Sequence, residues 1–288
     1  MNGFSKWPDE TGCGDAIVAI AGEVRHRAGR GNVWLSDFDP QHLANLVNGF
    51  SKWPQEENSG QATVGIASEV LRRAERLSDF TSQHLANLVN GFSKWPQEEN
   101  LRQGIVVIAG EVLRRANQLS DFTSQGLAHL VNGFSKWPED CRGAIVAIAG
   151  AVRRRADRLS GFDPQGLANL VNGFSKWPDE TGCGDAIVAI AGEVCRRADQ
   201  LSGFDPQALA NLVNGFSKWP DETGCGDATV AIAGQILRWA GHAERLSDFG
   251  PQVLANLVNG FSKWPQEENS RQATVVIAGE VLRRAERL

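Results

Sequence analysis

Apolar side chains recur along this chain in short runs at helical spacing, and the runs themselves recur. In the stretch that opens at Leu35, residues Leu43, Leu46, Val47, Phe50 and Trp53 follow one another at steps of three and four, which places them on one face of a helix. After a polar loop a second run, Ile66, Ala67, Val70, Leu71, Ala74 and Leu77, has the same periodicity. Two amphipathic helices are thus predicted, joined as a hairpin. Asp39-Pro40 supplies a capping carboxylate and a proline suited to the first helical position, so the first helix starts there. The same start recurs at Asp163-Pro164 and Asp205-Pro206, Thr81-Ser82 and Thr123-Ser124 offer a hydroxyl cap, and Gly250-Pro251 is weaker. Pro54 ends or redirects the helix. Asn48-Gly49 is a possible C-cap, but the apolar stripe runs through it without changing phase, which favours a continuous helix. Asp15, Asp185 and Asp227 stand where the second helix is expected to be capped.

The hairpin is a repeat. Ser-Lys-Trp-Pro occurs seven times, with its Trp at positions 7, 53, 95, 137, 177, 219 and 264, at intervals of 46, 42, 42, 40, 42 and 45. Taking Leu35 as a unit start gives a partial unit, 1–34, and complete units 35–76, 77–118, 119–158, 159–200, 201–245 and 246–288. One such hairpin is too small to fold alone, and stacking shares the stability along a one-dimensional array. The expected fold class is all-α: an α-solenoid of HEAT/armadillo-like repeats, since that period suits those units and is too long for tetratricopeptide or ankyrin repeats. Two helices fill the unit, and a third, short one has room only at Leu35 to Phe38 or in the polar loop.

The tandem Leu-Ala-Asn-Leu-Val-Asn-Gly-Phe-Ser-Lys-Trp-Pro units resemble the SKWP-repeat family of type III secreted effectors from plant-pathogenic bacteria such as Ralstonia and Xanthomonas. The resemblance covers the whole chain. It implies a solenoid secreted into the host plant cell, where it binds host proteins, and the cysteine pattern, which makes a disulfide framework unlikely, points to a reducing compartment. Members of that family are much longer, and this chain opens inside a first helix and stops at a unit boundary, Leu288. It is therefore expected to be a segment of a longer array, whose uncapped apolar end faces favour end-to-end self-association or added helices.

Composition narrows the partners. A formal charge of -5 gives the chain as a whole no electrostatic pull towards nucleic acid or anionic lipid. The longest apolar run, of the Ala16 to Ala21 type, falls far short of a membrane span, and residues 1–8 read as the tail of a unit with no signal peptide. The five Cys show no zinc-type spacing, and equivalent positions about 10 Å apart on stacked helices lie beyond disulfide reach. The five His are scattered, and Thr181-Gly182-Cys183-Gly184-Asp185 reads as a helix-linking loop rather than a phosphate loop. No catalytic, cofactor-binding or metal-binding residue is expected.

The candidate binding surface is a polar stripe opposite the apolar face of each first helix: Gln41, Asn45, Asn48 and Lys52, then Gln83, Asn87, Asn90 and Lys94, then Gln125, His129, Asn132 and Lys136. It continues as Gln165, Asn169, Asn172 and Lys176, Gln207, Asn211, Asn214 and Lys218, and Gln252, Asn256, Asn259 and Lys263. All seven Lys of the chain hold this place. Asn is a poor interior helix residue, so two per helix call for a reason. Two readings stand: a solvated face with some Asn bonding between units, the default, or an amide ladder that pairs with the backbone of an extended peptide, with Lys selecting acidic partners. The Trp ladder packs between hairpins or lines a groove, with core packing preferred.

On the second helix, Glu69, Arg72 and Arg76 and their counterparts read as exposed intrahelical pairs. Arg153, Arg154, Arg155 and Arg158, beside Ala151 where other units have Glu, form a local basic cluster whose default is a solvated face. One position varies on the constant frame, as His42, His84, Gly126, Gly166, Ala208 and Val253; Gly, Ala and Val read no base edges. Three function readings follow, in order: a protein-binding scaffold, a structural spacer or oligomerisation array, and a nucleic-acid-binding repeat.

Overall fold

The computed structural model describes residues 11–29, 34–241 and 246–286. The first Ser-Lys-Trp-Pro and the opening of the partial unit lie outside them. The described residues form helices joined by turns, with no strand among them. The chain falls into two compact units, residues 1–148 and 149–288.

In the first of these, the second helices α1 (Thr11–Gly29), α3 (Glu57–Arg72) and α5 (Glu99–Arg114) pack each on the next. The first helices α2 (Pro40–Phe50), α4 (Ser82–Phe92) and α6 (Ser124–Phe134) do the same alongside them. α7 (Pro138–Arg154) runs across the division. In the second, α8 (Pro164–Phe174), α10 (Pro206–Phe216) and α12 (Pro251–Phe261) form one row, and α9 (Thr181–Arg196), α11 (Thr223–Ala240) and α13 (Glu268–Ala285) the other. Neighbour-to-neighbour packing of this kind is that of an α-solenoid.

The apolar stripes account for the core. Leu43, Val47 and Phe50 are fully buried, as are Ile66, Ala67, Val70 and Leu77, and the pattern recurs through Phe92, Phe134, Phe174 and Phe216. Each first helix starts at its expected cap: the side chains of Asp39, Thr81, Thr123, Asp163 and Asp205 accept from the backbone N–H of the third residue on, and Gly250 supplies no such bond.

Four features differ from the expectation. The first helix passes through Asn48-Gly49 but ends at Phe50, so Trp53 stands in the following turn rather than on the helix face. A 3-10 helix closes each of several units, as at Ala74–Asp79, Ala116–Asp121, Ala156–Gly161 and Ala198–Gly203, at the place of Leu35 to Phe38; the unit starts at Leu77, Leu119, Leu159 and Leu201 fall inside it. Thr181 to Asp185 is the first stretch of α9, capped by the backbone at Glu180, so it is no loop and Asp185 is no cap. The varying position is buried as Gly126, Gly166, Ala208 and Val253, and a Cβ on Gly126 would stand 3.6 Å from Ala86 Cβ, so it packs against the preceding first helix.

Interior glycine of the first helix is required by close approach. A Cβ on Gly91 would overlap Val47 Cγ1, and the same overlap would join Gly133 to Val89, Gly215 to Val171 and Gly260 to Val213. Within each compact unit, neighbouring first helices are thus packed close enough that only glycine fits at the crossing.

Candidate functional site

The stripe is held on one helix face and one turn. Ser51 Oγ donates to Asn48 O at 2.9 Å, and Lys52 N and Trp53 N donate to Gly49 O and Phe50 O at 3.2 and 3.0 Å. The equivalent bonds recur at Ser93, Ser135, Ser175, Ser217 and Ser262, so each Lys leaves the same rigid turn.

Within the stripe, the Gln residues are exposed, while the Asn residues, and His129 in the place of one of them, are half-buried except for the exposed Asn259. Gln165, Gln207 and Gln252 donate to Asn169, Asn211 and Asn256 at 2.9 to 3.0 Å along their own helices. Asn259 Nδ2 donates to Asn214 Oδ1 at 3.4 Å, a link between units. Gln83, Asn87, Gln125 and His129 come together as walls of a polar cleft of about 360 Å³ between α4 and α6, which Thr81, Thr123 and Asp121 complete. Gly126, where the preceding units carry His42 and His84, is among its lining residues.

Lys52, Lys94, Lys136, Lys176, Lys218 and Lys263 are exposed, and among the described residues none takes part in an ion pair. Burial, and then the charges of Lys52 and Lys136, hold the Lys94 ammonium below the usual lysine range. Burial also lowers His84, against the opposing pull of Asp39, and its Nδ1 accepts from Thr81 N–H at 3.3 Å.

The arginines are used differently. Glu69, read as exposed, is 1 % accessible, and Glu111, Glu193 and Glu280 are buried as well. Each forms ion pairs with two arginines at or next to the end of its own helix, Arg72 and Arg73 in the case of Glu69. Arg73 then reaches back to the preceding 3-10 helix, Nη1 to Phe38 O at 2.8 Å and Nη2 to Leu35 O at 3.0 Å. Arg115 repeats this on Leu77 O, Arg197 on Leu159 O and Phe162 O, and Arg284 on Leu246 O and Phe249 O. Burying a carboxylate is costly unless it is paired, and here the arginine that pairs it also bonds carbonyls of the segment that leads into the hairpin's first helix.

Sequence reasoning missed this staple, although the chain carries a signal for it: where Gln235 replaces the Glu, Trp239 replaces the Arg four residues on. Trp239 instead meets Phe249 edge to face at 5.7 Å. The basic cluster is also partly spoken for, since Ala151 is buried and Arg153 pairs with Asp185 at 3.1 Å.

The tryptophans stand between units. Trp95 is 6 % exposed, donates from Nε1 to Pro54 O at 3.0 Å, and lies over Gly60 in the first turn of α3. Trp53, Trp219 and Trp264 lie in the same way over Gly14, Gly184 and Gly226.

Among the described residues no helix is long and apolar enough to cross a membrane, and no group of three His, Cys, Asp or Glu is placed to hold a metal ion. Compared with models of protein families and with curated proteins, the chain matches none.

Proposed function

We propose that the chain is a non-catalytic binding scaffold, an α-solenoid segment of HEAT/armadillo-like repeats whose first-helix stripe engages a partner protein. The observation that carries the reading is the contrast between the two kinds of basic residue: Arg73, Arg115, Arg197 and Arg284 are bound into the stack, whereas the lysines stand exposed on rigid turns beside half-buried amides. The third, short helix in the unit suits an armadillo-like repeat as well as a HEAT-like one. The sevenfold Ser-Lys-Trp-Pro supports membership of the SKWP-repeat effectors, with delivery by a type III system into plant cells and host proteins as partners.

Capture from plant extract tests this, comparing the wild-type chain with a variant carrying Asn87→Ala, Asn90→Ala, Asn169→Ala and Asn172→Ala. A partner retained by the first and lost by the second is expected. Equal recovery by both sinks the stripe, and salt-sensitive nucleic acid in the eluate favours a nucleic-acid repeat instead.

One observation favours a second reading, an array that joins copies end to end. Leu254, Val258, Ile277 and Val281 line an apolar groove of about 850 Å³ on α12 and α13. Val258 there holds the place that Val213 holds beneath Gly260. Sedimentation would show concentration-dependent growth that Val281→Glu abolishes if copies join there.

A further inference from the structure

We propose that the lysine rows, Lys52, Lys94 and Lys136 in one unit and Lys176, Lys218 and Lys263 in the other, bind an extended partner segment that carries an acidic side chain at every third residue. This deepens the scaffold reading and rests on it.

Three observations lead there. First, the chain has more acids than bases, 34 against 29, yet among the described residues its lysines meet none of them. A column of unneutralised like charge opposes folding, and the field of Lys52 and Lys136 at Lys94 shows that the charges in one row sense one another. An anion lying along the row removes that repulsion.

Second, the spacing is fixed. Gly91 against Val47 and Gly133 against Val89 draw adjacent first helices to about 8–9 Å, and identical turns carry that spacing to the lysines. An extended segment in the polyproline II conformation advances about 3.1 Å per residue with three residues per turn, so every third side chain returns to the same face after about 9 Å, which matches one repeat. Duplex nucleic acid offers one charge per roughly 1.7 Å, several for each lysine, and fits the row poorly.

Third, Asn48, Asn90 and Asn132 stand four residues before their lysines, half-buried, with their own carbonyls bonded by Ser51, Ser93 and Ser135. Each carboxamide has a donor and an acceptor suited to the backbone of such a segment.

The test uses the whole chain and fluorescent peptides of about twelve residues, long enough at about 3.1 Å per residue to span one row. One carries Glu at every third position and Ser elsewhere, the second has the same composition with its Glu contiguous, and a single-stranded oligonucleotide serves as third probe. The period-three peptide is expected to bind tightest, with affinity falling as salt rises. Lys94→Gln should weaken it about threefold, and all six Lys→Gln together by about thirtyfold or more. Lys→Arg at the same six positions retains the charge and should retain binding, which separates loss of recognition from loss of fold. Equal binding of both peptides, tighter binding of the oligonucleotide, or unchanged binding by the six-Gln variant overturns the proposal. If that variant still captures the plant partner that the Asn→Ala variant loses, the acidic register fails while the scaffold reading stands.

Discussion

Gly91 of α4 lies so close to Val47 of α2 that a Cβ on the glycine would overlap the valine Cγ1 and come within 3.3 Å of its carbonyl oxygen. Valine is stiff at χ1 and the carbonyl belongs to a helix, so neither yields easily. Gly91→Ala is therefore expected to destabilise by about 1–3 kcal/mol, despite the roughly 1 kcal/mol that alanine gains over glycine in a helix. Gly110, an exposed interior position of α5 with nothing near its absent Cβ, provides the opposite case. Gly110→Ala should stabilise by about 0.5–1 kcal/mol. Urea denaturation of the two variants checks the pair, and the same sign for both would show that close approach does not explain the first-helix glycines.

Arg115 links Glu111 at 2.5 Å to Leu77 O at 2.8 Å, and so ties the end of α5 to the 3-10 helix that follows α3. Arg115→Ala leaves a buried carboxylate served by Arg114 alone and a carbonyl without its charged donor. A loss of about 2–4 kcal/mol is expected. Adding Glu111→Gln to Arg115→Ala should recover part of that loss, because the chain already tolerates a charge-free version at Gln235 and Trp239. Strict additivity in the double-mutant cycle would mean the two residues act independently.

Sequence periodicity carries the helical hairpin, its caps and its core, because burial of one face imposes a 3.6-residue pattern. It does not carry what happens between units. Glu69 and Arg72 have the same three-residue spacing whether solvated or buried, and only the carbonyls of the 3-10 helix, brought back by the fold, distinguish them. That 3-10 helix is too short to imprint a period of its own, so it was foreseen only as a place with room for one. The Asn-Gly step was ambiguous for a similar reason: a glycine that breaks a helix and one that lets two helices touch look alike in one dimension. The stripe itself is legible residue by residue, whereas the lack of ion pairs at its lysines among the described residues is visible only in the fold.

The cysteines give a reactivity order. Burial, with Asp140 adding to it, pushes the Cys141 thiol up to about 12, and burial with Glu222 pushes Cys225 up to about 12. Cys195 is raised too, by burial and then by Asp227, but it is only half-buried. A thiol reagent at about pH 8 should label Cys195 before Cys141 or Cys225, read by peptide mass analysis. The unfolded thiols lose their protons near the ordinary value of 9.0, while the folded Cys141 and Cys225 keep theirs to about 12. The native state then binds more protons within that window, so stability is intact below it and falls as pH rises through it. Cys141→Ala with Cys225→Ala should flatten the fall.

Trp95 sits where the two rows of helices meet a neighbouring unit: it follows α4 in the chain, bonds Pro54 O of the preceding unit, and rests on Gly60 at the start of α3. A groove-lining indole would leave stability unchanged when removed, because its outer face would be wet in the free protein. An indole that is 6 % exposed, with its N–H satisfied, contributes its whole apolar area to the seam. Trp95→Ala is therefore expected to cost about 3–5 kcal/mol. Gly60→Val fills the indole's seat from the other side, since a Cβ there would already stand 3.1 Å from Nε1. It should destabilise wild type by about 1–3 kcal/mol but much less in the Trp95→Ala background, where the seat is empty. A large Trp95→Ala effect without that coupling would leave the Trp buried but not seated on the glycine, and an unchanged denaturation midpoint for Trp95→Ala would return it to the surface.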